Sequence, residues 1–376
     1  QESRSWLSAR GVLRYALAGG IGGDGTVAQA VLSDRGQLNR SERNTYLERR
    51  EFFMFPMDAG DQDELLHRIR QLEGAVNSGD PLRQVAQRTF AAFRNGRYAA
   101  VIVGHEVTAL NREIALALKG IPDAFARGGD WQTPAGSCFT ANPLGNKGGV
   151  AFVYPGAFNS YPELGRDWLH LFPEAHDHFA SLTADPRRGT AEKYLYPRSL
   201  TAPTRADIKA VRARLANAPS AMMESGQTFA LLYTHVLREV FKVAPTSAFG
   251  YSLGEGSMLW AMGIWREVDA ASDVFRASDL FKKRLSGRKD AIREAWGVPP
   301  HADDGFWASY VLSASPEAVY AQLAHETHVY LTHINTPNEV VIGGDPAACE
   351  RIIERLACMS VRAPFEVVIH NEAMIS

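Results

Sequence analysis

Apolar positions along this chain fall into two rhythms. Between Asp61 and Asn77, Leu65, Leu66, Ile69, Leu72 and Val76 recur at helical spacing and predict one amphipathic helix. Pro81 to Arg94 and Thr108 to Gly120 predict two more. The short apolar runs Glu51–Pro56 and Tyr98–Gly104 read as strands, giving a β-α-α-β-α module over residues 51–145. Further on, Gly149–Tyr154 reads as a strand and Ser220–Val243 as a long helix, mostly apolar from Thr228. A brief strand, Thr246–Phe249, follows Pro245, and a helix runs from Ser257 to Trp265. Asp269–Trp296 is charged and predicts helix. Beyond it the period shortens. Strands are expected at Trp307–Ala314, His328–Ile334, Glu339–Gly343 and Val361–Ile369, with helices at Pro316–His325 and Pro346–Cys358.

That last β-α-β-β-α-β series, about residues 307–367, is the ferredoxin-like pattern. Near the start, the cluster Gly19-Gly20-Ile21-Gly22-Gly23 must be a tight loop after Tyr15–Ala18, and Ala28–Leu32 reads as a strand after it. Arg35–Arg50 is highly charged and reads as linker.

Composition narrows the classes. The 376 residues leave room for two or three domains. A net charge of −2 gives no basic field, so nucleic acid is not an expected partner. No apolar run approaches the roughly 20 residues of a membrane span. Cys138, Cys349 and Cys358 show no metal spacing and are odd in number, which points to a reducing cytoplasm. The chain begins at Gln1 with no visible signal peptide, and it reads as part of something longer.

The chemistry centres on Gly250-Tyr251-Ser252-Leu253-Gly254-Glu255, a G-x-S-x-G sequence between a strand and a helix. That is the context of a nucleophile elbow. Glycines flank Ser252 because the turn is too tight for side chains. The turn puts Ser252 at a helix start, where the backbone N–H of Leu253 is free to face an oxyanion. The pentapeptide alone is equally an ordinary glycine-bounded turn with a serine cap.

Three more segments raise its specificity. Val153-Tyr154-Pro155-Gly156 leads to Tyr161-Pro162-Glu163-Leu164-Gly165-Arg166-Asp167. Gln227 precedes Phe229-Ala230. Asn335-Thr336-Pro337-Asn338 runs into Glu339-Val340-Val341-Ile342-Gly343-Gly344-Asp345. In this order, over about residues 146–376, they resemble the acyltransferase domain of polyketide and fatty acid synthases. Tyr251 in the elbow makes the chain most like the acyltransferase subunit of polyunsaturated fatty acid synthases. Residues 51–145 resemble the ketosynthase-to-acyltransferase linker domain. Gly25-Thr26-Val27-Ala28-Gln29-Ala30-Val31-Leu32 resembles the end of a ketosynthase, with Gln29 at its histidine position, so residues 1–50 read either as an inactive ketosynthase-like remnant and linker or as a plain glycine loop and linker.

The resemblance implies an α/β fold: an α/β-hydrolase-like core with the ferredoxin-like insert, preceded by a small α/β linker domain. It also implies an acyl-CoA donor, malonyl-CoA favoured, and a seryl ester on Ser252. The acceptor would be the phosphopantetheine thiol of an acyl carrier protein, with neighbouring synthase domains or subunits as partners. No permanent cofactor and no metal are expected. His370 falls where the family places its base, and a serine hydroxyl needs one. Leu253 and Ala157 would supply main-chain oxyanion donors. The family has glutamine at the Ala157 position, but the contribution comes from the main chain. Gln227 and Tyr251 would border the substrate. Arg276 aligns, after a one-residue shift, with the arginine that holds a malonyl carboxylate; the bland alternative is a solvated helix arginine. Val367-Val368-Ile369 stands where malonyl-specific members carry small or polar residues, and predicts an apolar wall at Ile369. The rival readings are a thioesterase-type hydrolase with the same serine and histidine, long-chain acyl transfer, and a non-catalytic docking scaffold.

Overall fold

The structure, a computed structural model, describes residues 12–33, 52–145, 148–197, 203–299, 305–363 and 366–374. The expected linker Arg35–Arg50 lies outside them. The chain divides into two compact units, one of Asn39–Val150 and one of Gln1–Leu38 with Ala151–Ser376.

In the first of these, β3 (Phe53–Ala59), β4 (Tyr98–Gly104), β5 (Asp130–Gln132) and β6 (Cys138–Thr140) form an antiparallel sheet in the order β3-β4-β6-β5. Helices Gln62–Asn77, Leu82–Ala92 and Val107–Arg127 cover it. The apolar stripe read from the sequence is the one buried: Leu65, Leu66, Ile69, Leu72 and Val76 pack against Phe55, Ile102, Leu110 and Ile114. Asp61 starts the first helix by accepting from the Glu64 N–H at 2.9 Å, a side-chain cap.

In the other unit, the glycine cluster lies on a hairpin. β1 (Tyr15–Ile21) pairs antiparallel with β2 (Val27–Ser33), so the residues read as leading into a loop are themselves a strand. The turn is tied by Thr26 N–H donating to Asp24 at 3.0 Å. β7 (Ala151–Tyr154) and β8 (Ser247–Gly250) form a two-stranded parallel sheet. Between them run helices Arg166–Leu171, Pro173–Leu182, Pro186–Gly189, Glu192–Leu195, Arg205–Ala216 and the long Pro219–Glu239. The long helix buries Phe229, Leu232 and Val236 against Phe179 and Leu195. At burial of this kind each large side chain contributes about 1.5–3 kcal/mol.

After the elbow helix Gly254–Ala261, the stretch read as one helix is broken. Val268–Ala277 ends at Ser278, whose φ of −64° and ψ of 139° are extended. A π turn, Leu280–Arg284, follows. Asp290–Trp296 starts afresh behind Lys289, at a φ of 53°. Charge content suggests helix throughout; the backbone changes direction twice.

The final sheet contains β9 (Ala308–Leu312), β10 (Val329–Thr336), β11 (Glu339–Gly344) and β12 (Ser360–Arg362), in the order β10-β11-β9-β12 with antiparallel neighbours. Helices Pro316–Leu323 and Pro346–Leu356 connect them in a β-α-β-β-α-β series. Each begins with proline at its first turn, capped by Ser315 at 3.3 Å and Asp345 at 2.8 Å. The last strand is much shorter than Val361–Ile369 predicted. Residues 364–365 lie outside the described residues, and 366–369 are irregular. Val367 and Val368 are buried there, with Val368 N–H donating to the Leu285 carbonyl at 2.8 Å. β-Branched residues suit strands, but tertiary burial decides their place here.

Candidate active site

β8 delivers the chain to the elbow at Gly250, and the helix Gly254–Ala261 carries it away. The turn is closed by Tyr251 N–H donating to the Tyr154 carbonyl at 3.0 Å and Gly254 N–H donating to the Tyr251 carbonyl at 2.8 Å. A side chain at Gly250 would overlap the backbone of Gly254 and Glu255. One at Gly254 would overlap the Tyr154 carbonyl and sit 2.8 Å from that of Pro155. Both flanking glycines are therefore fixed by close backbone approach. Ser252 itself sits at a φ of 53°, a left-handed conformation that costs a non-glycine residue of order 1–3 kcal/mol. The turn holds it there and leaves its hydroxyl exposed.

The Ser252 Oγ lies 2.8 Å from the Nε2 of His370. The two residues are 118 positions apart in the chain. His370 also has a positive φ, 54°. For Nε2 to accept the serine proton, the ring must carry its own proton on Nδ1. Among the described residues no group hydrogen-bonds that Nδ1.

The main-chain N–H groups of Leu253 and Ala157 make no hydrogen bond among the described residues. Leu253 precedes the elbow helix, so its N–H belongs to the unsatisfied first turn. The loop bearing Ala157 runs against the elbow: a Cβ at Gly156 would meet the Tyr251 ring at 2.9 Å.

The remaining expected residues divide. Gln227, on the long helix, reaches the elbow helix, where a Cβ at Gly256 would meet its amide nitrogen at 3.2 Å. Tyr251 turns toward β10, its hydroxyl donating to Asn335 at 2.7 Å. Ile369, half-buried, packs against the buried cluster of Leu285, Ala291 and Val367. Val368 is wholly buried and forms no wall. Arg276 is neither free nor simply solvated. Its Nε donates to Glu224 at 2.7 Å, its Nη2 contacts the same carboxylate, and Nη2 also donates to the Arg188 carbonyl at 3.2 Å. Ser272 donates to Glu224 at 2.6 Å. Glu224 and Arg276 line a cavity of about 1500 Å3 whose walls include Lys289, Arg362 and Val367 but neither Ser252 nor His370.

Sequence reasoning assigns no role to His333. It lies on β10, its ring centre 4.7 Å from that of His370 at an 80° interplanar angle and 5.9 Å from that of Tyr251. Burial, then the neighbouring His370 charge, pushes its pKa down to about 4. The one available signal is its place two residues before Asn335 in a matched segment. Glu224 carries no signal beyond a charge inside an apolar helix. In the run His325-Glu326-Thr327-His328, Glu326 pairs with Arg351 and Arg355, and His328 stacks on Trp296. Among the described residues no three metal-ligating side chains cluster, and no helix is long and apolar enough to cross a membrane.

No family model matches the chain. Solved acyltransferase domains share its architecture, two of them as follows. The acyltransferase domain of SpnD superposes with a TM-score of 0.56 at 18% identity, covering 87% of this chain and 67% of that one. That of ZmaA gives 0.55 at 15%, covering 84% and 65%. The fold is that of an acyltransferase domain. In sequence, the chain is similar to a polyunsaturated fatty acid synthase polypeptide of Thraustochytrium sp. (strain ATCC 26185 / S-3), 28% identical over 382 residues. The match takes in 95% of this chain and 18% of that polypeptide. Both findings point to the group that the four ordered segments resemble. Within the acyltransferase fold, the exposed serine–histidine pair stands at the helix start that follows β8.

Proposed function

We propose that this chain transfers an acyl group from acyl-CoA, through a seryl ester on Ser252, to the phosphopantetheine thiol of an acyl carrier protein. The observation that carries the reading is the 2.8 Å contact between Ser252 Oγ and His370 Nε2. His370 takes the serine proton as the oxygen attacks the thioester carbonyl. The oxyanion is received by the N–H groups of Leu253 and Ala157. Collapse expels CoA as thiolate, and His370 returns the proton to it. In the second half His370 takes the proton of the carrier thiol, the thiolate attacks the ester, and His370 returns the proton to the departing Ser252 oxygen. Gln227, Tyr251 and Ile369 border the acyl group. The β-α-β-β-α-β series is read as a ferredoxin-like insert in an α/β-hydrolase-like core, residues 51–145 as a linker domain, and 146–376 as the acyltransferase domain. Neighbouring synthase domains or subunits are the expected surroundings, in the reducing cytoplasm that three unpaired cysteines suit.

The donor has two readings. Malonyl, which the resemblance favours, needs Arg276 to exchange its partner for the substrate carboxylate. An uncharged acyl chain is favoured by the Arg276–Glu224 pair, because the guanidinium already has a carboxylate. Thioesterase-type release is the alternative outcome for the acyl-enzyme.

Intact-protein mass spectrometry after exposure to acyl-CoAs tests the reading. An acyl mass should appear on the Ser252 peptide, be absent in Ser252→Ala, persist in buffer and transfer on addition of holo carrier protein. An adduct that Ser252→Ala retains would remove Ser252 from the mechanism. Rapid loss to water without carrier would make the chain a hydrolase.

A further inference from the structure

His370 stands on irregular backbone at a left-handed φ of 54°, exposed. In many serine–histidine pairs a hydrogen-bonded acid holds the imidazole in its working orientation. Here another group touches the ring. His333 meets it edge to face, with ring centres 4.7 Å apart.

His333 is itself pinned. Its Nδ1 lies 2.9 Å from the Thr332 hydroxyl, and that hydroxyl donates to the Val341 carbonyl at 3.1 Å. A hydroxyl has one proton. With that proton on Val341, the oxygen accepts from His333, which fixes His333 as the Nδ1–H tautomer. Its ring also lies along that of Tyr251, ring centres 5.9 Å apart and 26° from parallel. Tyr251 in turn is held by Asn335, whose amide donates to Glu339 at 3.0 Å. The ring beside His370 is therefore held by Thr332 and Tyr251, and burial keeps it uncharged.

We propose that His333 is a positioning residue for His370: its anchored ring packs against the base and keeps Nε2 aimed at Ser252. The proposal rests on Ser252 and His370 forming the reactive pair. A neutral brace matters because His370 gains positive charge in each half-reaction, and a cation at 4–5 Å would oppose it. The titratable groups near His333 are His370 and Tyr251 in ring contact, and Glu339 beyond Asn335.

The test measures the rate of fluorophosphonate labelling of Ser252 against pH, in the full chain, for His333→Ala, His333→Phe and His333→Lys. Each variant's fold is checked by its unfolding midpoint. Losing the brace lets the imidazole swing, and a misplacement of this size costs about tenfold to a hundredfold in rate. The alanine variant should show that loss. The phenylalanine variant, keeping a ring, should recover most of it with the acid limb unmoved. The lysine variant should shift the acid limb to lower pH, because a neighbouring cation disfavours the imidazolium. An alanine variant labelling at the wild-type rate would overturn the proposal, as would a folded phenylalanine variant as slow as alanine or an acid limb unmoved by lysine. If alanine disrupts the fold, the other two variants decide. Wild-type protein that never labels at Ser252 would instead remove the seryl reading beneath it.

Discussion

Removing Arg276 should destabilise the protein far more than removing its partner. Glu224 is the buried half of the pair, its side chain 8% exposed against 40% for Arg276. It accepts from Arg276 Nε at 2.7 Å, from Nη2, and from Ser272 at 2.6 Å. Arg276→Ala leaves a buried carboxylate with one hydroxyl. Breaking a buried pair from one side costs about 3–5 kcal/mol. Ser272 remains and the cavity beside Glu224 admits water, so about 2–3 kcal/mol is the better figure here. Glu224→Gln leaves a guanidinium that already reaches solvent and keeps an amide oxygen facing it, so about 1 kcal/mol or less follows. Urea unfolding with a common slope reads both values from the midpoints.

The same variants separate the two donor readings. If Arg276 is a strut for Glu224, folded Arg276→Ala should take malonyl and uncharged acyl groups in the wild-type ratio. If it anchors a substrate carboxylate, malonyl loading should fall selectively, by about 2–5 kcal/mol of transition-state binding. Competition between malonyl-CoA and acetyl-CoA, read by intact mass, gives the ratio. An Arg276→Ala protein as stable as wild type but selectively blind to malonyl would refute the strut.

Two further outcomes follow from packing and charge. Gly254→Ala places a methyl group against the Tyr154 and Pro155 carbonyls; it should lower the unfolding midpoint and abolish Ser252 labelling, and normal labelling would show that the elbow does not need this approach. Glu326 is held by Arg351 and then Arg355, which pushes its pKa down to about 2 from an ordinary value near 4.5. A depressed carboxylate stabilises the fold fully above its unfolded value and loses that contribution as pH falls through the folded one. Glu326→Gln should therefore flatten the dependence of stability on pH below 4.5, and an unchanged slope would remove Glu326 as its source.

How far the sequence disclosed this depended on whether structure was local. The elbow was legible because close backbone approach demands glycine on both sides of Ser252, and glycine is visible as a letter. The β-α-β-β-α-β series was legible because each helix opens with a cap and a proline. The linker-like unit was legible because its apolar stripe has one period. The hairpin was half legible: the loop glycines showed, but nothing in Tyr15–Ile21 names its partner strand. Of the breaks within Asp269–Trp296, the one at Ser278 was hidden, since serine is no usual helix breaker, while the one before Asp290 carries Gly287 at a φ of 57° and was there to be read.

The site itself shows where such reading stops. Ser252 and His370 could be matched to motifs, but the side chains packed beside them come from a third segment. Tyr251 reaches Asn335 on β10, and His333 on the same strand reaches His370. The strand's register decides this. His333 stands opposite Val341, and the register shifts on either side of it, between Leu331 and His333 and between Ile334 and Thr336. Side chains alternate along a strand, so a shift of one residue would turn His333 to the other face. No composition or period encodes that shift. A residue without a motif of its own thus stands against His370 because of how one strand pairs with its neighbour, and the matched asparagine two positions on locks the tyrosine beside it.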